Sequence, residues 1–265
     1  MKERILTGML AGIGFLALLC WGGNLFSALL VVMALVSFYE FLRIYDFKPA
    51  SPEAVLGFLI VLAYTVPWQA ISGLPPVSME KLLWLAFAAI LLLPVMTKNK
   101  VNLPRASLIF TGTVYIGFGF HYMVATRALD DGLFWSLLMF VCIWATDSGA
   151  YFTGWAIGKH LLWPAISPKK TVEGALGGLA LSVAAAIGFS LYAPQLLSLS
   201  HAVSLGILIS LFSQFGDFVE SALKRAQNVK DSGAILPGHG GVLDRVDSWL
   251  FVFPLVHAIS AIGFL

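Results

Sequence analysis

Nine apolar stretches follow one another along this chain and constrain its fold more than any other feature. They run roughly over residues 5–21, 25–42, 54–73, 82–97, 107–125, 133–154, 174–193, 201–224 and 249–265. A helix that crosses a bilayer needs about 20 mostly apolar residues and satisfies its own backbone hydrogen bonds. We therefore predict an all-α, polytopic membrane protein with about nine transmembrane helices.

The composition agrees with a lipid environment for most of the chain. Of its 265 residues, 59% are hydrophobic and only 11% are charged, whereas soluble domains are about a quarter charged. Cys20 and Cys142 both lie in apolar runs, which indicates neither a disulfide nor a cysteine metal site. The first apolar run is not followed by a small-x-small cleavage site, so we predict an uncleaved first helix.

The positive charges predict the orientation, since Lys and Arg collect in cytoplasmic loops. With the N-terminus inside and nine alternating spans, only Lys81 and Arg127 fall outside; every other Lys and Arg falls inside. The two longest inside loops, 159–173 and 225–248, are also the most polar. We predict packing helices over 1–105, and a catalytic cavity with its cytoplasmic loops over 106–265.

Among the acids within the predicted spans, we single out Asp147 in the sixth span, and Asp217 and Glu220 in the eighth. A carboxylate at the centre of a membrane helix costs about 2.5–3.5 kcal/mol on insertion scales. Such a residue faces either a hydrated cavity or an ion-pair partner. In the eighth span the polar residues recur at steps of three and four, which places them on one helix face. They are Ser213, Asp217, Glu220, Ser221 and Lys224, and they predict a polar cavity open to the cytoplasm.

The loop between the last two spans combines cations, acids and glycines within two dozen residues. Its candidate catalytic residues are Lys224, Arg225, Lys230, Asp231, His239 and Arg245. Its glycines, Gly238, Gly240 and Gly241, allow close approach of the backbone to a ligand. Carboxylates suit Mg²⁺, and cations offset charge in phosphoryl-type transfer. The other inside loop offers a phosphate cradle before a helix N-terminus, from Ser167, Lys169, Lys170 and Thr171, unless it is an ordinary juxtamembrane basic loop.

The stretch Ser221–Asp247 resembles the signature of the phosphatidate cytidylyltransferases, also called CDP-diglyceride synthetases. Its most specific matching positions are Lys224, Arg225, Lys230, Asp231, Pro237, His239, Gly240, Gly241, Asp244, Arg245 and Asp247. The blocks around Asp147, over 167–174 and around Asp217 also look like this family. The resemblance implies transfer of a cytidylyl group from CTP to phosphatidate, giving CDP-diacylglycerol and pyrophosphate in phospholipid biosynthesis.

The resemblance also implies ligands and a location. Its metal would be Mg²⁺, optionally with K⁺, held by Asp217, Asp244 and Asp247, with Asp147 and Glu220 as further candidates. Ser221, Gly240 and Gly241 would join the phosphate cradle in binding substrate. The implied partners are CTP, membrane phosphatidate and a second copy in a homodimer, with no nucleic acid. The implied location is the bacterial plasma (inner) membrane, with the active site on the cytoplasmic side.

Three other functions compete with this interpretation. Acids within membrane spans also serve ion- or proton-coupled transporters, although transporters often carry paired, interrupted helices in two halves. A CDP-alcohol phosphotransferase would need the pattern D-G-x2-A-R-x8-G-x3-D-x3-D, which this sequence lacks. A non-catalytic membrane scaffold would leave the acids in the spans without a purpose.

Overall fold

The computed structural model describes residues 2–68, 78–235 and 240–261. Within these ranges the chain forms nine α-helices and one two-stranded hairpin. The elements are α1 (Lys2–Trp21), α2 (Gly23–Ile44), α3 (Pro52–Thr65), α4 (Met79–Met96), α5 (Leu103–Arg127), α6 (Gly132–Ile157), β1 (Leu161–Trp163), β2 (Ser167–Thr171), α7 (Val172–Tyr192), α8 (Leu199–Ala226) and α9 (Leu243–Ala261).

Each predicted apolar stretch overlaps one of these helices, and the molecule is a helical multi-pass membrane protein. Six helices are long and apolar enough to cross a bilayer, namely α2, α4, α5, α6, α7 and α8. Helix α3 ends at Thr65 and not near residue 73 as predicted. Pro67 disfavours helical geometry at Val66, whose backbone is extended. Residues 69–73 lie outside the described ranges, and the count of nine crossings stays a prediction.

The described residues form two compact units, and the first contains Met1–Leu129 and Asp231–Arg245. Within it, α5 packs against α2, α3 and α4. Aromatic rings of neighbouring helices lie directly on two α5 glycines, where a Cβ would overlap Phe41 at Gly112 and Tyr64 at Gly117. These close approaches place α2 and α3 tightly against α5.

The second unit contains Asp130–Lys230 and Val246–Leu265. Helix α7 packs against both α6 and α8, and glycines bring α6 and α7 close together. A Cβ on Gly178 would lie 2.6 Å from the carbonyl oxygen of Thr146, and one on Gly174 would lie 2.8 Å from that of Ala150. Helix α9 packs through Trp249, whose ring centroid lies 4.8 Å from that of Phe140.

The predicted division at residue 105 into packing helices and a catalytic part stays a prediction, and the compact units have other boundaries. Compact packing continues through α5 to Leu129, and the segment 231–245 groups with the N-terminal helices although it lies far away in sequence. The N-terminal helices therefore contribute to the setting of the signature residues.

Candidate active site

A β-hairpin positions the basic residues of the segment 159–173, which the sequence analysis predicted to be a polar cytoplasmic loop. Strands β1 and β2 pair antiparallel, with Leu161 opposite Thr171 and Trp163 opposite Ser167. The carboxylate of Glu173 fastens the base of the hairpin: it accepts hydrogen bonds from the backbone N–H groups of Lys159 (3.1 Å) and His160 (3.2 Å).

The hairpin leads directly into helix α7. The side chain of Thr171 accepts a hydrogen bond from the backbone N–H of Gly174 at 3.1 Å and caps this helix. Such a cap satisfies one of the backbone donors that a helix N-terminus leaves unpaired. The predicted helix N-terminus beside the phosphate cradle is thus present, and Thr171 is part of its cap.

A cavity of about 410 Å³ brings together two predicted acids and three residues of the predicted phosphate cradle. The acids are Asp147 of α6 and Asp217 of α8, and the cradle residues are Lys169, Lys170 and Thr171. The other lining residues are Thr146, Ala150, Tyr151, Gly154, Trp155, Leu162, Gly174, Ala175 and Gln214. The cavity is therefore lined by negatively and positively charged side chains and by aromatic side chains. This combination suits a phosphate ester with an apolar part.

Asp217 is the centre of the charged groups in this cavity. Its Oδ2 lies 2.7 Å from Nζ of Lys170, and its Oδ1 accepts a hydrogen bond from Oγ of Ser221 at 3.4 Å. The ammonium of Lys170 also lies 4.4 Å from the centroid of the Phe218 ring. Both side chains of the pair remain about one-third exposed, at 28% and 34%, so they are accessible to a ligand.

Two further carboxylates lie within electrostatic range of Asp217. They belong to Asp147 and to Asp247 of α9. Helix α9 comes close to α8 at Gly216, where a Cβ would lie 2.9 Å from the carbonyl oxygen of Asp247. Three acids thus share a neighbourhood in the second unit, together with the cation of Lys170.

Glu220 and Lys224 form a buried ion pair one turn apart on α8. Their side chains are only 2% and 11% exposed. The residues of the polar stripe predicted on α8 therefore differ in their surroundings. Asp217 lines the cavity, whereas Glu220 is matched by its own lysine, as expected for the alternative of a structural ion pair.

The carboxylate oxygens of the acids in the cavity are suitable ligands for a divalent cation. Carboxylate oxygens are the ligands that Mg²⁺ prefers, and it usually combines one or two of them with water and substrate phosphates. In the part of the chain that the structure describes, no three His, Cys, Asp or Glu side chains converge to hold a metal by themselves. Asp217 and its acidic neighbours thus fit a cation that is completed by a phosphate ligand.

In the first unit, Asp244 is engaged with the signature loop itself. Its Oδ2 accepts hydrogen bonds from the backbone N–H groups of Ser232 (2.9 Å) and Gly241 (2.8 Å). Gly240 adopts a left-handed φ of 80°, and a Cβ there would lie 2.7 Å from the same carboxylate oxygen. These contacts give Asp244 and Gly240 a part in shaping the loop, and the role of Asp244 as a metal ligand stays a prediction.

A buried acid on α2, Glu40, also binds this loop, and the sequence analysis did not single it out. Its carboxylate accepts hydrogen bonds from the backbone N–H groups of Val242 (3.0 Å) and Leu243 (2.8 Å). It also accepts one from the hydroxyl of Ser232, at 3.3 Å. Glu40 lies inside a predicted span, so the rule that marked Asp147 and Asp217 would have marked Glu40 as well.

The remaining predicted residues are mostly exposed. Arg225 donates a hydrogen bond to the carbonyl oxygen of Val229 at 2.7 Å, and its side chain braces the end of α8. Lys230, Asp231 and Arg245 are exposed. His239 lies outside the described residues, as do its neighbours Pro237 and Gly238. The catalytic and binding roles of all these residues stay predictions.

Comparison with known proteins covers nearly the whole chain. A family model described as "Cytidylyltransferase family" matches residues 2–262. A protein of Bacillus subtilis (strain 168) named phosphatidate cytidylyltransferase is 43% identical, over 99% of this chain and 98% of its own length. Proteins of the same name from Staphylococcus haemolyticus (strain JCSC1435) and Staphylococcus aureus (strain COL) are 38% and 36% identical, over 98% of each chain.

These similarities decide between the competing interpretations of the sequence. They agree with the family that the signature resembles, and they extend the resemblance from residues 221–247 to almost the entire chain. The alternative of an ion- or proton-coupled transporter finds no support in them.

Proposed function

Because this chain belongs to the cytidylyltransferase family, we propose that it transfers the cytidylyl group of CTP to phosphatidate. The products are CDP-diacylglycerol and pyrophosphate. The enzyme is a nucleotidyltransferase of phospholipid biosynthesis, and its substrates meet at the membrane because CTP is soluble and phosphatidate is a lipid.

The cavity around Asp217 is the observation that supports placing the reaction in the second unit. It combines carboxylates that suit a metal with the lysines of the hairpin, and tyrosine and tryptophan side chains line it. Polyanionic substrates need such cations, since repulsion between the two phosphate groups opposes their approach. The aromatic wall suits the glycerol and acyl portion of a lipid or the base of a nucleotide.

The transfer requires one bond to form and one to break. An anionic oxygen of the phosphatidate phosphate bonds to the α-phosphorus of CTP. The bond between that phosphorus and the oxygen bridging to the β-phosphate breaks, and its electron pair leaves with pyrophosphate. The attacking oxygen is already negative, so no strong general base is needed, and catalysis depends on positioning and charge compensation.

Residues of the cavity would supply these functions. Lys169 and Lys170 would bind phosphate oxygens, and Asp217 would orient Lys170 through the contact between them. Asp217, together with Asp247 or Asp147 and a phosphate oxygen of the substrate, would hold Mg²⁺, with K⁺ as an optional second ion; when bound, the metal offsets phosphate charge. Asp244 and Glu220 remain further candidate metal ligands, but both are less accessible. Asp244 binds the backbone of the signature loop, and Glu220 pairs with Lys224.

The distribution of charge and the bacterial relatives support a proposal for the cellular setting. We propose the bacterial plasma membrane, with the N-terminus and the cavity facing the cytoplasm, and a homodimer as the working form. The placement of almost all Lys and Arg on one side of the predicted topology supports the orientation.

A direct assay tests the proposed reaction. Purified protein is mixed with CTP labelled at the α-phosphate, phosphatidate in mixed micelles and Mg²⁺. We expect the label to enter CDP-diacylglycerol, with release of one pyrophosphate for each product and no labelled lipid when phosphatidate is omitted. Ion flux in proteoliposomes without any consumption of CTP would contradict the proposal and favour a transporter.

A further inference from the structure

Glu40 is an acid on an apolar helix, and its contacts lie about 200 residues away in sequence. It is 1% exposed and belongs to α2, one of the six helices in the described ranges that are long and apolar enough to cross a bilayer. Its three described hydrogen-bond donors all belong to the segment 232–243. A buried carboxylate is costly unless such donors satisfy it, so this arrangement indicates a specific purpose.

Two of these donors, the backbone N–H groups of Val242 and Leu243, lie at the start of helix α9. The initial N–H groups of a helix have no partner within the helix, and a side chain just before it usually satisfies them. Here that position is occupied by Val242, whose side chain cannot accept a hydrogen bond. The carboxylate of Glu40 takes its place, and its negative charge is also favourable at the positive end of the helix dipole.

The same carboxylate explains why two positions of the signature segment are occupied by glycine. A Cβ on Gly233 would lie 2.6 Å from Oε1 of Glu40, and one on Gly241 would lie 2.5 Å from Oε2. Neither glycine has a positive φ, so backbone conformation alone does not require glycine there. The loop backbone closes around Glu40, and only residues without a side chain allow this approach.

We infer that Glu40 is a positioning residue that holds the described parts of the signature segment, 231–235 and 240–245, in their working shape, an inference that rests on the proposed function. Glu40 binds the start of α9 and Ser232, and Asp244 binds Ser232 and Gly241 from within the segment. Together the two carboxylates hold Ser232 on one side and residues 241–243 on the other side of this segment, which also carries Asp231 and Arg245. Helix α2 therefore acts in catalysis through this loop.

The first experiment compares Glu40→Gln and Glu40→Ala with Glu53→Ala in the full-length protein. Glu53 is an equally buried acid of the same unit, but it pairs with Arg105 of α5. We expect both Glu40 variants to lose turnover, by about 100-fold for alanine, because small displacements of reacting groups have effects of this size. Glutamine keeps one acceptor oxygen but sets its NH₂ against a backbone donor, so we expect an intermediate loss with little change in Tm.

Limited trypsin digestion in detergent provides a readout that does not depend on activity. We expect faster cleavage after Lys230 and Arg245 in the Glu40 variants than in the wild type, and wild-type rates at these sites in Glu53→Ala. If wild-type protein makes no CDP-diacylglycerol, the proposed function fails while the digestion still tests Glu40. Wild-type cleavage and wild-type turnover in both Glu40 variants would overturn the inference.

A double-mutant cycle tests the contact itself. Gly233→Ala should slow turnover and speed cleavage after Lys230 in a chain with Glu40, because the new Cβ meets the carboxylate. In the Glu40→Ala background that obstacle is gone, and we expect Gly233→Ala to have at most a twofold further effect. An equal effect of Gly233→Ala in both backgrounds would show that Glu40 does not set the shape of the loop.

Discussion

The two acids of α8, Asp217 and Glu220, pair with different lysines and differ in exposure. Asp217 pairs with Lys170 in the wall of a cavity that a ligand can enter, whereas Glu220 is buried against Lys224. A buried pair contributes little net stability by itself, but removal of one partner leaves an uncompensated charge and costs about 3–5 kcal/mol. We therefore propose a role in substrate handling for Asp217 and a structural role for Glu220.

This difference predicts the behaviour of Lys224→Met. The variant should lose several kilocalories per mole of stability, seen as a lower Tm in detergent, because Glu220 remains buried without its partner. Adding Glu220→Gln should restore most of the Tm. If the double variant is no more stable than Lys224→Met alone, the two side chains are not coupled as the contact indicates.

Asp247 provides a second prediction for a single residue. Asp247→Asn should lower turnover about 100-fold or more, as expected when a charged group of the active site is neutralised, while membrane insertion and Tm stay near wild type. The control is Asp130→Asn, an exposed acid of the same unit. Near-normal activity of Asp247→Asn would remove this residue from the proposed metal site.

Sequence reasoning identified most of these side chains but not all of their partners. Asp147 and Asp217 were recognisable because carboxylates are rare in apolar spans, and the cavity does bring them together. The signature pattern did not reveal that the oxygens of Asp244 bind the loop backbone, because a motif specifies residue types and not their contacts. The same rule would have marked Glu40 as an acid in an apolar span, but the sequence does not show its partners, which are about 200 residues away.

At the level of elements, the packing of α6 against α7 determines where the cavity lies. Both helices contribute to its lining, and glycines allow the backbones to approach, as small residues commonly do between membrane helices. The hairpin between them is held by Glu173 and Thr171. Sequence patterns predicted both helices, but the short strands lack the alternation of polar and apolar residues that marks a strand.

Two glycines of α7 offer a matched test of this packing. Gly178→Ala would place a Cβ 2.6 Å from the carbonyl oxygen of Thr146, whereas nothing lies within 4 Å of a Cβ at Gly188. We expect Gly178→Ala to destabilise the protein by about 1–3 kcal/mol, the usual range for overpacking, and to reduce turnover. Gly188→Ala should leave both the Tm and turnover unchanged. Equal Tm values for the two variants would contradict the close contact.

For the whole molecule, hydropathy predicted the helices well because the bilayer imposes the same requirement on every span. All nine predicted stretches overlap helices in the described ranges. The grouping of 231–245 with the N-terminal helices could not be predicted, since it depends on contacts such as those of Glu40 between residues far apart in sequence. The distribution of Lys and Arg supports the predicted orientation in the membrane, and chemical labelling can test it.

Labelling of single cysteines in intact cells tests this orientation. In a background with Cys20→Ser and Cys142→Ser, Gln195→Cys should react with a membrane-impermeant maleimide from outside. Lys100→Cys should react only after the membrane is permeabilised, because the positive residues of its loop stay in the cytoplasm. Both positions are exposed. Labelling of Lys100→Cys in intact cells would contradict the predicted topology.

The most direct measurement of the central claim is the turnover of Asp217→Asn beside that of Asp131→Asn. Both variants are purified, their Tm is compared with that of the wild type, and both are assayed with labelled CTP, phosphatidate and Mg²⁺. If the cavity around Asp217 transfers the cytidylyl group, Asp217→Asn should form CDP-diacylglycerol at least about 100-fold more slowly than the wild type, and Asp131→Asn at the wild-type rate. Wild-type turnover by Asp217→Asn would show that the reaction takes place elsewhere in the molecule.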